Sequence, residues 1–373
     1  MKPRHRIMQL YTTSTESYNP LKINVCSETA LLKMQGEGVN TAFVECAELL
    51  KEKTDVEVVI NNEGHGDIMH SHTYGPYFFL KGLFYPRRKI LTVHVIPDSI
   101  KGSLPFAKQL MPFVRWYFKM VYSYADVLIA ISPMVEDAIR ELGVKTRVVR
   151  MANPLQLDKW KRTDALRKKG REILGLKEND FCVLGVGQLQ QRKGPEDFIE
   201  IGKKLPNIQF RWIGGRPFGA LTEGIKRLDK KIEEAPDNIK FAGLFSLDEM
   251  PCLYAAADAF IFLSHQENSP LAPVEAAASG MPVMYRNLKE YQLLYNYEYF
   301  KGNTQEDFAQ WIDKLSADKQ FFEQGLTISR KLITQFDKDT IRKQLINLYI
   351  DVIERSQPIS RKRPSVTLRH SQA

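Results

Sequence analysis

Residues 181–215 decide the fold, and they read FCVLGVGQLQQRKGPEDFIEIGKKLPNIQFRWIGG. The apolar run at 181–186 predicts a buried β-strand, and Pro195–Lys204 is predicted to be the helix that follows it. Residues 208–213 predict the next strand, which ends at two glycines. A strand, a helix and a second strand joined by short loops are typical of a parallel βαβ unit.

The same alternation continues on both sides of this unit. Later in the chain, strands are predicted at 239–242, 259–263 and 282–284, and helices at 221–234, 247–256 and 273–279. In the first half, strands are predicted at 22–26, 56–60, 68–70, 90–94, 127–131 and 147–151, and helices at 39–51 and 134–142. Repeated βα units predict an α/β fold with two parallel, doubly wound sheets in tandem.

The division between the two α/β units is predicted near Asn153-Pro154, before a basic stretch at 159–169 that we expect to be flexible. This gives an N-terminal domain at 1–152 and a C-terminal domain at 153–356. Residues 357–373 are rich in Ser, Pro and Arg, and we expect them to form a disordered basic tail.

The composition is that of a globular protein. The 373 residues are 43% hydrophobic and 26% charged, which excludes disordered and low-complexity classes. The four cysteines form no Cys-x-x-Cys pair, so a zinc ribbon is excluded and a reducing compartment is expected. The sequence has no apolar run of spanning length and no signal peptide at its start, which predicts a cytoplasmic protein.

Positive charge is concentrated in two parts of the chain. The formal net charge is +9, and residues 68–125 hold eight Lys or Arg and one acid, a local net charge of +7. Residues 355–373 hold five basic residues and no acid. This predicts an anionic partner, either a nucleic acid, a phosphate-bearing ligand or a lipid surface. Nucleic acid is disfavoured because the chain lacks a recognised nucleic-acid-binding module.

The strongest local motif is Glu267-Asn-Ser-Pro-Leu-Ala-Pro-Val-Glu275, which follows a predicted strand and enters a helix. The first N–H groups of such a helix lie at the carboxyl edge of the sheet and attract anions such as a diphosphate. Glu275, about one turn into the helix, can accept hydrogen bonds from ribose hydroxyls, and Glu267 can reach sugar hydroxyls. Solvated acids at the start of a helix are the alternative interpretation.

A second motif follows an earlier strand and reads Gly-Val-Gly-Gln-Leu-Gln-Gln-Arg-Lys-Gly over residues 185–194. Its glycines allow a ligand to approach the backbone closely, and Arg192 and Lys193 supply positive charge to phosphate oxygens. The spacing differs from that of a Walker A loop. A solvated Arg-Lys pair is again the alternative.

Two weaker signals come from the first half of the chain. Gly36 and Gly38 lie between the first strand and the first helix, where they are predicted to face the same cleft. His94 ends one predicted strand, while His70 and His72 end an earlier one. His70 and His72 are predicted to point to opposite faces of a continuing strand, and the three histidines are predicted not to form a metal site.

In this combination and order, these elements resemble the GT-B glycosyltransferases of family 4, retaining enzymes that use nucleotide-diphosphate sugars. The resemblance spans roughly residues 23–315 and rests on Glu267 and Glu275, Lys193-Gly194, Asn153-Pro154 and His94. Residues 35–39, 187–198 and 214–219 resemble in particular the Gram-positive enzymes that add a hexose to diacylglycerol or monoglucosyldiacylglycerol. The resemblance implies two Rossmann-like domains that face a central cleft, with the final helix returning to the N-terminal domain.

The resemblance also implies roles for individual residues. The implied catalytic residues are His94, Glu267 and Lys193. The implied donor-binding residues are Gly36, Gly38, Gln188, Arg192, Lys193, Asn268, Ser269, Leu271 and Glu275. Cations and the helix start would stabilise the leaving diphosphate of a UDP-sugar, so neither a metal nor a cofactor is expected. A phosphate oxygen would act as the base, and no protein general base is assigned.

Two features depart from the family pattern. Gln188 stands where many members have Arg, and Asn-Ser-Pro-Leu at 268–271 replaces the usual Gly-Leu. Pro270 has no N–H group, so one possible phosphate donor is missing. A catalytically silent GT-B protein therefore stays open as an alternative, and the sequence leaves the choice between glucose and galactose open.

The prediction of membrane contact rests on residues 106–124, which read FAKQLMPFVRWYFKMVYSY. This stretch is predicted to form a helix that begins at Pro112, since proline is disfavoured inside a helix. One predicted face holds Lys108, Arg115, Lys119 and Tyr122, and the other holds Leu110, Phe113, Tyr117, Met120 and Tyr124. A basic face beside an aromatic one favours an interfacial helix, with a second aromatic and basic loop at 78–89. The predicted contacts with an anionic inner membrane surface are Lys108, Arg115, Trp116 and Lys119. A soluble polysaccharide, a teichoic acid or a protein is the alternative acceptor.

Overall fold

A computed structural model describes residues 20–32, 38–52, 55–61, 66–73, 75–100, 107–216, 225–295, 297–336 and 338–355. The strands of this part are β1 Leu21–Cys26, β2 Val56–Ile60, β3 Ile68–Ser71, β4 Arg88–Val93, β5 Val127–Ala130, β6 Arg147–Arg150, β7 Cys182–Val186, β8 Gln209–Ile213, β9 Ile239–Gly243, β10 Ala259–Phe262, β11 Val283–Arg286 and β12 Phe300–Gly302.

The α-helices of the described residues are α1 Glu28–Leu31, α2 Gly38–Lys51, α3 Pro76–Leu83, α4 Ala107–Tyr124, α5 Pro133–Glu141, α6 Asp164–Leu174, α7 Pro195–Lys204, α8 Ile225–Glu233, α9 Met250–Ala256, α10 Ala272–Ala278, α11 Lys289–Leu294, α12 Gln305–Ala317, α13 Lys319–Ile333 and α14 Lys338–Glu354. Short 3₁₀ turns lie at Pro97–Ile100, Leu157–Trp160, Gln191–Lys193 and Thr334–Phe336.

The described strands form two six-stranded sheets. The first sheet has the order β2-β1-β3-β4-β5-β6, and the second has the order β12-β11-β10-β7-β8-β9. Neighbouring strands run parallel, with Ile23 opposite Ile68 in the first sheet and Leu184 opposite Phe260 in the second. The predicted α/β fold with two doubly wound sheets is confirmed.

Helices cover both faces of each sheet, which explains why central strands such as β7 and β10 are apolar at every position. In β7, Val183 packs into the hydrophobic cluster on one face of the second sheet, and Leu184 packs into the cluster on the other. Both side chains are fully buried. Each such side chain stabilises the fold by ~2 kcal/mol, so a polar substitution on either face of β7 would be costly.

The final helix, α14, packs on the first sheet rather than on the second. Ile341, Leu345 and Tyr349 share a core cluster with Ile23 of β1 and Phe43 of α2. The Arg342 guanidinium, which is buried, donates from Nε to the Leu49 carbonyl over 3.1 Å and forms an ion pair with Asp55. The last described helix is therefore part of the N-terminal core.

Three local predictions are wrong. The helix expected to begin at Pro112 begins at Ala107, because an exposed proline near a helix start costs a single backbone hydrogen bond. Tyr122, predicted on the basic face of this helix, is buried and donates its hydroxyl hydrogen to the Val95 carbonyl. The stretch 159–169, expected to be flexible, enters helix α6, whose Thr163 hydroxyl accepts from the Leu166 N–H as an N-cap.

Other elements were missed or placed differently. The predicted aromatic loop at 78–89 contains most of helix α3, which has Pro76 at its first position. The sequence analysis did not predict β12, α12 or α13. The tail at 357–373, expected to be disordered, lies outside the described residues. None of the helices that the structure describes combines the length and the hydrophobicity needed to cross a bilayer.

Candidate active site

A cleft of about 410 Å³ lies where the carboxyl edges of the two sheets face each other. Its N-terminal wall includes His94 and Ser99, which follow β4. Its C-terminal wall includes the loop after β7 and the loop between β10 and α10. Parallel sheets commonly bind ligands at this edge, and two such edges together can enclose a ligand with two distinct ends.

The loop after β7 carries two cations to the floor of the cleft. Gly194 allows the tight turn there, because its φ is +78° and a Cβ atom would lie 2.6 Å from the Leu263 carbonyl oxygen. The Arg192 carbonyl accepts the His265 N–H over 2.7 Å and the Ser264 hydroxyl over 3.1 Å. These bonds tie the loop that carries Lys193 to the loop that follows β10.

Glu267 pairs with both cations of this loop. Its Oε1 is in an ion pair with Lys193 Nζ and lies 3.8 Å from Arg192 Nη1. The side chains of Lys193 and Glu267 are only 15% and 10% exposed, and Lys193 Nζ also lies 5.8 Å from the centre of the Phe262 ring. Two cations therefore face one carboxylate in a nearly dry pocket, which leaves an excess positive charge.

Burial and pairing act in opposite directions on these groups. Burial disfavours the charge on Glu267, but Lys193 and Arg192 outweigh burial and hold the pKa of Glu267 below its usual range. Burial likewise lowers the pKa of Lys193, against the attraction of Glu267. The pair is therefore ionised at neutral pH, and an incoming anion would compete with Glu267 for the two cations.

Few N–H groups remain in the loop that enters α10. Pro270 and Pro273 have none, and the N–H groups of Val274 and Glu275 donate to the Leu271 carbonyl over 2.8 and 2.9 Å. Ser269, Leu271 and Ala272 line the cleft and carry the remaining N–H groups between the prolines and just before them. The predicted anion site at the helix start therefore has fewer backbone N–H donors than is usual, because neither proline has an N–H group.

Glu275 is buried at the back of the cleft, within the first turn of α10. Its Oε2 accepts the Tyr254 hydroxyl hydrogen over 2.6 Å. Burial raises the pKa of Glu275 to about 7, the Tyr254 bond opposes that rise, and the nearby Glu45 carboxylate adds to it. Glu275 is therefore poised to change its protonation state near neutral pH, and donors from a ligand would favour the ionised form.

One side chain joins the two walls. Asn268 Nδ2 donates to the His94 carbonyl over 2.8 Å and to the Ser99 hydroxyl over 2.9 Å. Its Oδ1 is buried and has no hydrogen-bond partner among the described residues. Asn268 therefore connects the loop of the C-terminal sheet to the residue that the sequence predicts to face the donor sugar.

The histidines of the N-terminal wall lie closer together than expected. The rings of His70 and His72 are 4.6 Å apart, because side chains two positions apart along an extended chain point to the same side. The prediction that they point to opposite faces is wrong. Cys46 completes a buried cluster with them. Both ring nitrogens of His70 already bond to hydroxyls, those of Tyr349 and Thr92, each over 2.7 Å, so an ion would displace one of these bonds.

The structure brings most of the predicted site residues together. Those that line the cleft are His94, Gln188, Arg192, Lys193, Glu267, Asn268, Ser269, Leu271 and Glu275, together with Gly38 at the start of α2. Gly36 lies outside the described residues. The sequence analysis missed the contacts of Ser99, Tyr254 and His72, since a hydroxyl or an imidazole within a strand or helix carries no distinctive spacing.

Apolar side chains are exposed on the N-terminal domain away from the cleft floor. On α4, Phe113 is 63% and Trp116 57% exposed, with ring centres 5.6 Å apart and exposed Arg115 and Lys119 on the same helix. Beyond the end of α3, Phe84 is 86% exposed. The side chain of Lys108 lies outside the described part of the chain. Exposed aromatic residues beside cations are typical of surfaces that meet a bilayer.

Two family models match the chain. Residues 40–159 match the model described as Glycosyltransferase Family 4, and residues 167–327 match the model described as Glycosyl transferases group 1. The first match covers most of the N-terminal sheet and the second most of the C-terminal sheet.

Two curated proteins are similar over nearly the whole chain. The alpha-galactosylglucosyldiacylglycerol synthase of Streptococcus pneumoniae is 30% identical over 92% of this chain and 91% of its own length. The processive diacylglycerol alpha-glucosyltransferase of Acholeplasma laidlawii is 27% identical over 86% of this chain and 96% of its own length.

Solved structures share the fold. HepE from Anabaena in complex with UDP-glucose has a TM-score of 0.71 at 18% identity, covering 89% of this chain and all of that one. The sucrose-phosphate synthase of Thermosynechococcus elongatus has a TM-score of 0.73 at 17% identity, covering 90% of this chain and all of that one. At such low identity these neighbours establish the two-domain architecture alone.

Proposed function

Because this chain belongs to the GT-B glycosyltransferases of family 4, we propose that it transfers a hexose from a UDP-sugar to a diacylglycerol glycolipid. The hexose is glucose or galactose, and the acceptor is diacylglycerol or monoglucosyldiacylglycerol. The observation that carries the proposal is the cleft itself, where Arg192 and Lys193 beside Glu267 face His94 from the opposite wall. The glycolipid acceptor is supported by the names of the two curated relatives.

The diphosphate of the donor binds against the two cations. The pocket holds two cations and one carboxylate, so its net charge is positive and attracts the negatively charged diphosphate. Ser269, Leu271 and Ala272 line the same space, and their backbone N–H groups can donate to it. This charge is preorganised on short loops that are bonded to each other, which stabilises the leaving group without a metal ion.

The hexose lies between the two walls, where Glu267 and His94 orient its hydroxyls. When the diphosphate binds the two cations, the Glu267 carboxylate shares Lys193 with it and accepts hydroxyl hydrogens from the sugar. The uridine ribose lies deeper, where the Glu275 carboxylate accepts its hydroxyls. On the N-terminal side, no side chain of the described residues lies within 4 Å of a Cβ placed at Gly38.

The transfer retains the configuration of the anomeric carbon. The bond from that carbon to the diphosphate oxygen breaks, and the diphosphate leaves with the bonding electrons. The acceptor hydroxyl forms the new glycosidic bond on the same face and gives its proton to a diphosphate oxygen. The buried side chains lower the barrier by stabilising the charge that develops, rather than by removing the proton.

The acceptor reaches the cleft from the inner surface of the cell membrane. Phe113 and Trp116 supply exposed aromatic surface, and Arg115 and Lys119 supply charge for anionic headgroups. The high local charge of residues 68–125 supports this orientation. The protein is then a peripheral enzyme of the cytoplasmic face.

The decisive experiment is label transfer from UDP-glucose and UDP-galactose in the presence of liposomes that contain diacylglycerol or monoglucosyldiacylglycerol. Labelled lipid from one donor is expected, and the anomeric coupling constant of the product reports retention. Chelation of divalent ions should leave the rate unchanged. Donor binding without labelled lipid would overturn the lipid acceptor and point to a soluble polysaccharide, teichoic acid or protein. Absence of donor binding would overturn the enzyme assignment and favour a silent GT-B protein.

A further inference from the structure

The N-terminal wall holds a pair of histidines whose geometry goes beyond the predicted role of His94. His72 follows β3 and His94 follows β4, which are neighbouring parallel strands with Ser71 opposite Leu91. His72 Nδ1 lies 3.1 Å from His94 Nε2, and the two rings are nearly parallel, at 22°. Both side chains are more than nine-tenths buried.

Neither ring carries a charge at neutral pH. Burial lowers the pKa of His94 to about 3. Burial, together with the neighbouring His70 and His94, lowers the pKa of His72 well below its usual value. A neutral imidazole carries one N–H, so the bond between the pair needs the proton on one facing nitrogen and a lone pair on the other.

The far side of His72 decides which nitrogen donates. Its Nε2 is buried and has no hydrogen-bond partner among the described residues. An unpartnered buried N–H is rarer in proteins than an unpartnered acceptor, so the lone pair belongs on Nε2 and the proton on Nδ1. His72 then donates from Nδ1, and His94 accepts at Nε2.

We propose that His72 is a positioning residue that fixes His94 as the tautomer with its proton on Nδ1. With Nε2 occupied by His72, Nδ1–H is the remaining hydrogen-bonding atom of the ring, and His94 lines the cleft. His94 therefore acts as a fixed hydrogen-bond donor to an oxygen of the donor hexose and takes no proton from the acceptor. This inference rests on the proposed function, because it assumes that a hexose binds beside His94.

The first test reads the tautomer directly. Nitrogen-15 spectra of the full-length protein labelled at its histidines distinguish a protonated ring nitrogen from a bare one, and His94→Gln assigns the relevant signals. A protonated Nδ1 and a bare Nε2 on His94 are expected. A protonated Nε2 on His94 would overturn the proposal. This measurement needs no turnover, so it decides the tautomer even if the protein transfers no hexose.

The second test separates positioning from packing. His72→Asn keeps an N–H donor near the place of Nδ1, whereas His72→Leu removes it at similar volume. His72→Leu is expected to lower kcat by about ten- to a hundredfold and to abolish the extra affinity for UDP-glucose over UDP, with UDP affinity unchanged. His72→Asn is expected to recover most of both. Equal losses in the two variants would mean that His72 only fills space, and would contradict the proposal.

A matched control removes a hydrogen bond from His70, the histidine that neighbours His72. Tyr349→Phe removes the hydroxyl that bonds to His70 Nδ1 and leaves the pair of His72 and His94 intact. It is expected to lower the melting temperature slightly and to leave kcat and the preference for UDP-glucose over UDP unchanged. If Tyr349→Phe reduced that preference as strongly as His72→Leu, general loosening of the cluster would replace the tautomer argument.

Discussion

Both walls of the cleft carry buried ionisable side chains, but these are charged on one wall and neutral on the other. On the C-terminal wall, Lys193 and Glu267 stay ionised because each has the other as a partner. On the N-terminal wall, burial keeps His94 and His72 neutral, and no carboxylate bonds to either ring among the described residues. Ion pairing, and not burial alone, therefore decides which wall keeps its charge and can bind an anion. The other wall can only donate or accept hydrogen bonds.

The largest expected effect comes from breaking the charged wall. Lys193→Ala removes a diphosphate contact and leaves Glu267 with Arg192 alone, 3.8 Å away. We expect kcat to fall by about a hundredfold or more and the fold to lose ~3 kcal/mol, because a buried carboxylate loses its nearest partner. Steady-state kinetics and urea unfolding measure the two effects.

A double variant separates these two losses. Lys193→Ala combined with Glu267→Gln removes both charges, so stability should largely return while activity stays low. Lys203→Ala is the matched control, since Lys203 is a well-exposed lysine of α7 whose Nζ lies 3.1 Å from Glu200 Oε1. Normal turnover in Lys193→Ala would refute the proposed diphosphate site.

A second prediction concerns Glu275, the carboxyl group of the charged wall that lacks a cationic partner among the groups acting on its pKa. Its folded pKa of about 7 lies above the usual 4.5, so the native state binds the proton more tightly than the unfolded chain does. The stability that this provides is complete below pH 4.5 and is lost as the pH rises through 7. The loss amounts to up to about 3 kcal/mol by pH 8.

Glu275→Gln should not lose stability as the pH rises through 7, because glutamine does not ionise. Its free energy of unfolding should match that of the parent near pH 4.5 and exceed it at pH 8, while UDP affinity at pH 8 falls by about tenfold. Urea titrations at the two pH values and calorimetric binding of UDP measure this. Parallel stability profiles for the two proteins would show that Glu275 titrates normally.

A third prediction concerns Asn268, the side chain that joins the two walls. Asn268→Ala removes both hydrogen bonds to the N-terminal wall, so the contact between the two walls of the cleft becomes weaker. We expect KM for the donor to rise by about fivefold. Ser99→Ala removes only one of the two acceptors and should have a smaller effect on the same kinetic constant. Equal KM values in Asn268→Ala and the parent would exclude this contact as a contributor to donor binding.

A comparably small effect is expected away from both walls, on the exposed side of α4. Lys119→Gln should weaken binding to anionic liposomes by about fivefold at low salt, since a lysine at such a surface contributes ~1 kcal/mol. The difference should shrink at high salt. Lys230→Gln, an exposed lysine of α8 in the C-terminal domain, serves as the control in co-sedimentation. Equal losses in both variants would mean that the net charge of the protein, and not this surface, drives binding.

The second sheet was the easiest to predict from the sequence, because β7 and β10 are short apolar runs bounded by polar loops. It missed β12, whose three residues, Phe300–Gly302, are too few to show a pattern. It also misjudged Pro112, since a rule about helix interiors was applied to a position close to the helix start. Local patterns predicted elements well where burial was continuous.

The site was predicted by residue type more than by contact. Lys193 and Glu267 were both singled out, but their pairing joins residues 74 positions apart, which no local spacing reveals. The bond from Asn268 to His94 spans 174 positions, and it depends on how the two domains meet. His72 was considered only as a metal ligand, because its nearness to His94 follows from strand order and not from the sequence itself.

The return of α14 to the first sheet has a consequence for synthesis on the ribosome. Ile341 and Tyr349 fill the same core as Ile23, yet they are made about 320 residues later. At ~5–20 residues per second, that core stays open for roughly 15–60 s in each newly made chain. The N-terminal domain therefore cannot mature in order of translation, and its uncovered apolar face is the surface on which a chaperone would act during that interval.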